Sequence, residues 1–147
     1  CFVEGMELAQ ALEVAASQKL AVLVTMKRDG RPQLSNITQS LGEDGVIRIS
    51  VTDGRAKTAN LRREPQASLY LGRADGWAYL VLEGTTTLSG VAAAPDDDAV
   101  EELVALYRAV QGEHPNWDEY RAAMVNDRRM VVRFTPERAY GMWPSSS

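Results

Sequence analysis

The chain has 147 residues, of which 45% are apolar and 24% charged, and its formal net charge is −4. This length favours a single domain with its own hydrophobic core, and the acidic charge argues against nucleic acid as a partner. No apolar run reaches the ~20 residues of a membrane helix, so we expect no membrane partner and a cytoplasmic location.

Hydrophobic periodicity and turn signals divide the chain into short strands and a few helices. In chain order the predicted elements are helix Glu7–Ala16, strands Leu20–Met26, Pro32–Ser40 and Val46–Val51, helix Ala56–Arg63, strand Ala67–Leu71, a long strand from Trp77 to Val91 with a bulge at Gly84, a helix from Ala93–Asp98 to about Val110, helix Trp117–Val125, and strands Met130–Phe134 and Arg138–Trp143. Because most consecutive strands are joined by hairpin turns, the pattern predicts a fold that is mainly β with helices (α+β). The expected architecture is an antiparallel sheet of six to seven strands that closes into a barrel, with helices at its edges.

The two ends of the chain are interpreted separately from the domain. Residues 1–5 precede Met6, and we expect them to be a non-native remnant or a disordered N-terminus. Residues 6–143 form the predicted domain, and residues 144–147 are expected to be a frayed C-terminus.

A basic segment follows the strand that ends at Val51. Asp53-Gly54 predicts a turn, and the helix after it is expected to end before Pro65. The segment holds potential anion contacts at Arg55, Lys57, Thr58, Arg62 and Arg63. A helix N-terminus, with free N–H groups and the positive end of the helix dipole, favours a phosphate at such a place. A solvated charged helix face fits the same spacing equally well, so spacing alone leaves both interpretations open.

The sequence argues against several other kinds of chemistry. Neither Gly-x-Gly-x-x-Gly nor Gly-x-x-x-x-Gly-Lys-Ser/Thr occurs, which excludes the usual nucleotide-binding loops. One cysteine (Cys1) and one histidine (His114) exclude an internal disulfide and a cysteine or histidine metal cluster, and they argue against a catalytic triad. We therefore expect no metal and no catalytic side chain. A bound cofactor would carry the chemistry, while the protein binds and orients it.

Several stretches, taken in order, resemble one known family. They are Arg31-Pro-Gln-Leu-Ser-Asn36 after Asp29-Gly30, Arg55-Ala-Lys-Thr58 with Asn60-Leu-Arg-Arg63, Asp75-Gly-Trp77 with Tyr79, and Glu83-Gly84. This pattern resembles the split β-barrel flavin and deazaflavin proteins of the pyridoxamine-phosphate-oxidase-like superfamily. It is most similar to the actinobacterial B-type reductases that use the deazaflavin coenzyme F420. The resemblance spans the chain from about Met6 to Trp143.

The resemblance implies a homodimer that binds F420 in a groove between its subunits. It places the phosphate and polyglutamate tail against Arg55, Ala56, Lys57 and Thr58, and the deazaflavin ring along Pro32, Gln33, Leu34, Ser50 and Val51. It implies that the second subunit contributes Trp77, Ala78 and Tyr79. Further candidates for binding the cofactor are Asn60, Arg62 and Arg129.

The activity implied is hydride transfer from the reduced deazaflavin C5 to an electron-poor double bond of a small organic substrate. Two alternatives remain open. One is a flavin mononucleotide (FMN) enzyme that acts on a pyridoxamine-phosphate-like substrate, and the other is a non-catalytic carrier of a flavin, a deazaflavin or haem. Arg55 and Lys57 do not discriminate between FMN and F420, because both cofactors carry a phosphate. The basic surface extending to Arg62, Arg63 and Arg129 favours a long anionic tail.

Overall fold

A computed structural model describes residues 5–144, and its centre is one antiparallel sheet curled into a half-barrel. Within these residues the strands are β1 (Gly5–Met6), β2 (Leu20–Met26), β3 (Pro32–Thr38), β4 (Ser40–Leu41), β5 (Ile47–Thr52), β6 (Gln66–Gly72), β7 (Tyr79–Leu88) and β8 (Arg129–Met142). The helices are α1 (Leu8–Ala16), α2 (Ala56–Arg63), α3 (Asp98–Gln111) and α4 (Trp117–Asn126). The rest of the predicted N-terminal remnant and frayed C-terminus, residues 1–4 and 145–147, lies outside the described residues.

The strands follow the order β3-β2-β6-β7-β8-β5-β4, and β1 pairs with β8 beside this path. Every pairing is antiparallel. The predicted α+β fold, an antiparallel split barrel with helices at its edges, is confirmed. No helix in the described part of the chain is long and apolar enough to cross a membrane.

The last two predicted strands are in fact one continuous strand, β8. Pro136 does not interrupt it, because Pro136 lies opposite Gly84 at the place where the β7–β8 register shifts. A proline, which has no N–H to donate, is tolerated at such a bulge. The approach there is close, since a Cβ on Gly84 would overlap the carbonyl of Thr135. The predicted bulge at Gly84 therefore explains why the predicted break at Pro136 is wrong.

Most other boundaries agree with the prediction to within one residue, and three differ by more. The predicted strand Pro32–Ser40 divides after Thr38, because Gln39 turns into the core and its Nε2 donates to the carbonyls of Ala15 and Gln18 at 3.0 and 2.5 Å. The long strand is shorter than expected and spans Tyr79–Leu88. The following helix starts at Asp98 rather than Ala93, because the Asp97 carboxylate accepts the Val100 N–H at 2.9 Å and so caps the helix.

Two apolar cores pack against the two faces of the sheet, one on each face. The barrel interior buries Leu23, Leu69 and Phe134 completely, together with the inner face of α1. The second core lies between α3 and the outer face of β8, where Leu103 and Val131 are fully buried. The helices α3 and α4 therefore cover only the β5–β8 side of the outer surface.

Among residues 5–144, no segment covers the rest of the outer surface, which is a largely apolar sheet face. Strand pairing places the side chains of Leu20, Leu34 and Tyr70 on this side, with Met142 at its far edge. Their exposed fractions are 70%, 62%, 42% and 47%, respectively. We call these four residues and the strand surface between them the open face. Exposed apolar residues grouped in this way mark an interaction surface.

Candidate cofactor-binding site

The basic segment forms the junction between β5 and α2, as expected from the sequence. Arg55 occupies the N-cap position of α2 in extended backbone (φ −85°, ψ 155°), and its own side chain does not cap the helix. The first N–H groups of an α-helix have no acceptor within the helix. The N–H groups of Ala56, Lys57 and Thr58 are therefore available to an anion at the positive end of the helix dipole.

Three cations converge at this junction between β5 and α2. The register of β5 and β8 places Arg129 opposite Thr52, three residues before Arg55 in the chain. The pKa of Lys57 is lowered, first by partial burial and then by the charges of Arg55 and Arg129. Within residues 5–144, none of these three cations forms a salt bridge. We call Arg55, Lys57 and Arg129 the cation cluster.

Arg129 supplies the most direct sign that an anion belongs here. Its Nε is buried and has no hydrogen-bond partner among the described residues. One of its terminal nitrogens lies 3.4 Å from Ser50 Oγ, which is a long contact. A buried charged donor that lacks an acceptor is costly, so native structures usually provide one. A phosphate or carboxylate group would supply that acceptor, and the residues present therefore fit an anionic cofactor.

The other arginines of the segment already have partners inside the chain. Asp53 accepts the Nη2 of Arg62 at 2.5 Å and the Nη2 of Arg128 at 2.6 Å. Arg63 donates to the carbonyl of Met26 and to the side chain of Asn60. The sequence pattern indicates only a turn at Asp53 and does not single out Arg128. No local pattern indicates their pairing, since they are 75 positions apart in the sequence.

Two predicted site residues attach α2 to the sheet. Thr58 is fully buried, and its hydroxyl donates to the carbonyl of Thr52 at 2.8 Å. Asn60 is 6% exposed, and its Nδ2 donates to Thr25 Oγ1 at 3.1 Å. Both side chains therefore hold the junction in place, and Thr58 can offer its backbone N–H to a ligand.

The residues expected along the ring occupy two separate strands. On β3, Pro32 and Leu34 are exposed on the outer side, whereas Gln33 faces inward opposite Thr25. On β5, Ser50 lies beside Arg129, but the side chain of Val51 is 1% exposed and belongs to the core. Val51 can therefore offer a ligand only its backbone.

The residues expected from a second subunit lie far from the cation cluster within one chain. Tyr79 pairs with Met142 at one end of β8, whereas Arg129 begins the other end. At about 3.3 Å per residue, this separation corresponds to roughly 40 Å of strand. Trp77 is 79% exposed, Ala78 is 1% exposed, and Tyr79 stacks on Tyr70 at 5.9 Å. Within one chain the two groups therefore belong to opposite ends of β8.

The only histidine of the sequence belongs to a packed aromatic cluster between α3 and α4. The ring of His114 lies 5.2 Å from Tyr107, 5.7 Å from Trp117 and 5.5 Å from Tyr120. Its Nδ1 accepts the N–H of Asn116 at 2.9 Å. These contacts account for His114 as a packing and turn residue of this connection.

Comparison with known proteins gives the same architecture and a family. The family model for pyridoxamine 5'-phosphate oxidase matches residues 8–143. Among solved structures, the conserved hypothetical protein Rv2991 from Mycobacterium tuberculosis is 21% identical, with a TM-score of 0.72 over 97% of this chain and 91% of that one. An F420 reductase is 20% identical, with a TM-score of 0.63 over 86% of this chain and 94% of that one. HutZ, a haem storage protein from Vibrio cholerae, is 17% identical, with a TM-score of 0.64 over 90% and 92%.

At these identities the structural similarities show a common fold, and the family match shows membership. The match covers nearly the whole described chain, from α1 to the residue after β8. The chain therefore belongs to the pyridoxamine 5'-phosphate oxidase family.

Proposed function

We propose that this protein is a coenzyme F420-dependent reductase. The observation that supports this most strongly is the cation cluster at the N-terminus of α2, with the unpartnered Nε of Arg129 beside it. When bound, the reduced deazaflavin would supply a hydride to an electron-poor double bond of a small organic substrate. The protein residues bind and orient the cofactor, and no side chain is required to act on the substrate.

The charge around the junction favours F420 over FMN. The cation cluster carries three positive charges, and none of its members forms a salt bridge within residues 5–144. A single phosphate group would leave part of this positive charge unbalanced. A phosphate followed by several carboxylates would balance more of it. In this arrangement Arg55, Lys57 and the first N–H groups of α2 hold the phosphate, and Arg129 holds an acidic group of the tail.

We infer that two copies of the chain pair through the open face. Leu20 and Leu34 are more than half exposed, and apolar side chains of this size are normally covered in a stable protein. Trp77 lies in the turn between β6 and β7, far along the sheet from the cation cluster of its own chain. In a pair of chains, this turn of one copy could reach the cofactor bound at the cation cluster of the other. The Asp75 carboxylate accepts the Trp77 N–H at 2.9 Å and two contacts of 3.0 Å from Arg73 Nε, which fixes this tip.

Parallel titrations of the purified protein with F420 and with FMN test the proposed function. We expect F420 to bind at least tenfold more tightly than FMN. We also expect the protein to oxidise the reduced deazaflavin in the presence of an electron-poor acceptor. Tighter binding of FMN, with turnover of a pyridoxamine-phosphate-like substrate, would support the flavin enzyme instead. Binding of F420 without turnover across a panel of acceptors would support a carrier.

A further inference from the structure

Asp53 joins three separate segments beside the cation cluster. Its Oδ1 accepts the Nη2 of Arg62 at 2.5 Å, and its Oδ2 accepts the Nε and Nη2 of Arg128 at 3.1 and 2.6 Å. Its backbone N–H donates to the carbonyl of Arg128 at 3.0 Å. One residue of the β5–α2 turn therefore holds both the last turn of α2 and the connection between α4 and β8.

Arg128 adopts a backbone conformation that needs such support. Its φ is 53°, and no other non-glycine residue in the described part of the chain has a positive φ. Left-handed backbone is unfavourable for a residue with a Cβ. Asp53 contacts both the side chain and the carbonyl of Arg128, and the next residue in the chain is Arg129 of the cation cluster. Arg129 itself pairs with Thr52, and its carbonyl accepts the Ala92 N–H at 2.8 Å. The contacts of Asp53 therefore act on the residue that leads into this pairing.

We propose that Asp53 is the positioning residue of the anion site. Its contacts hold Arg129 in a fixed place relative to the N-terminus of α2. This inference rests on the proposed function, because it concerns the same site. Asp53 also keeps Arg62 and Arg128 engaged, so that they do not compete with the cation cluster for the ligand. Hydrogen bonds from Arg128 and then Arg62 lower the pKa of Asp53, so the carboxylate remains ionised at neutral pH.

The positioning role and a simple charge effect predict opposite results. Removing a negative charge near an anion site should strengthen anion binding if only Coulombic attraction matters. Removing the residue that places Arg129 should weaken binding, because an ill-placed cation cannot make its contact. The Asp53→Asn substitution keeps the shape of the side chain and removes its charge, so the sign of the change in affinity distinguishes the two cases.

Asp44→Asn is a matched control. Asp44 lies before the other end of β5 and pairs with Arg48 at 2.8 Å, so this substitution also removes a carboxylate paired with an arginine. We expect Asp53→Asn to weaken F420 binding at least fivefold and Asp44→Asn to change it by less than twofold. Affinity in Asp53→Asn that equals or exceeds that of the wild type would overturn the proposal. Asp53→Glu, which keeps the charge but displaces the carboxylate, replaces Asp53→Asn if the latter does not fold, and its expected change is the same in direction.

A measurement without ligand separates this proposal from the proposed function. Hydrogen exchange at the hydrogen-bonded amides of Asp53 and Arg55 in one segment, and of Asp127 and Arg128 in the other, should be at least tenfold faster in Asp53→Asn than in the wild type and unchanged in Asp44→Asn. If the wild type binds neither F420 nor FMN, the proposed function fails, whereas exchange still tests the positioning role. Unaltered exchange in both segments would refute that role whatever the wild type binds.

Discussion

Lys57→Ala tests the anion site at the residue whose surroundings are best defined. Lys57 is partly buried at the start of α2, and its pKa is lowered by burial and by Arg55 and Arg129. A charge-assisted hydrogen bond to a phosphate contributes about 1.5–3 kcal/mol. Since about 1.4 kcal/mol corresponds to a tenfold change in affinity, the substitution should weaken F420 binding about 10- to 150-fold.

The same substitution should leave the free protein as stable as before, or slightly more stable. The lowered pKa means that the folded protein disfavours the charged form of Lys57, so removing that charge relieves the cost of its partial burial and then the repulsion from Arg55 and Arg129. Fluorescence titration with F420 measures the affinity, and urea denaturation without ligand measures the free energy of unfolding. Loss of binding with stability retained would indicate a functional cation rather than a structural one.

Lys19→Ala supplies the control for a change in charge alone. Lys19 is exposed just before β2, whereas α2 contacts the other end of that strand through Asn60 and Thr25. These ends are about 20 Å apart at the usual rise of a strand. We expect Lys19→Ala to alter F420 affinity less than twofold. Equal affinities in Lys57→Ala and the wild type would refute the assignment of the site.

Three further predictions concern the pH dependence, the bulge and the open face. F420 affinity should fall as the pH rises, because Lys57 loses its charge. The fall should begin at a lower pH than for an ordinary lysine, since the pKa of Lys57 lies below the usual 10.5. Titrations of Lys57→Ala across the same pH range should lack this part of the pH dependence. Gly84→Ala should destabilise the fold by about 1–3 kcal/mol in urea denaturation, because its Cβ would overlap Thr135, whereas Gly90→Ala, which meets no atom within 4 Å, should change stability much less. Leu34→Glu on the open face should convert a dimer to monomers in sedimentation experiments, and an unchanged mass would contradict pairing through that face.

Local signals predicted the elements whose ends are determined by nearby residues. The helix Ala56–Arg63 and the strand Leu20–Met26 have the predicted bounds. In the helix, the Asp53-Gly54 turn and Pro65 limit the element from both sides. By contrast, Pro136 suggested a break that does not occur, because the residue that accommodates it, Gly84, lies on another strand. A local sequence pattern does not indicate which strand will pair with the one that contains the proline.

The candidate site likewise has a part that could be predicted from the sequence and a part that could not. A helix N-terminus with basic residues could be predicted from Arg55 and Lys57, because strand, turn and helix follow directly in the chain. Arg129 could be named as a site residue only through a family resemblance, since its place beside Arg55 and Lys57 depends on the register of β5 and β8. The pairing of Arg62 with Asp53 and the unpartnered Nε of Arg129 are visible only in three dimensions. These two facts indicate which cations of the segment remain free for a ligand.

A crystal structure of the protein bound to F420 would test the central claim most directly. We predict that the phosphate accepts hydrogen bonds from Arg55, Lys57 and the first N–H groups of α2, with an acidic group of the tail at Arg129. We also predict that Trp77 of a second copy lies against the same cofactor. A cofactor phosphate bound away from the N-terminus of α2, with the Nε of Arg129 still unpartnered, would contradict this account.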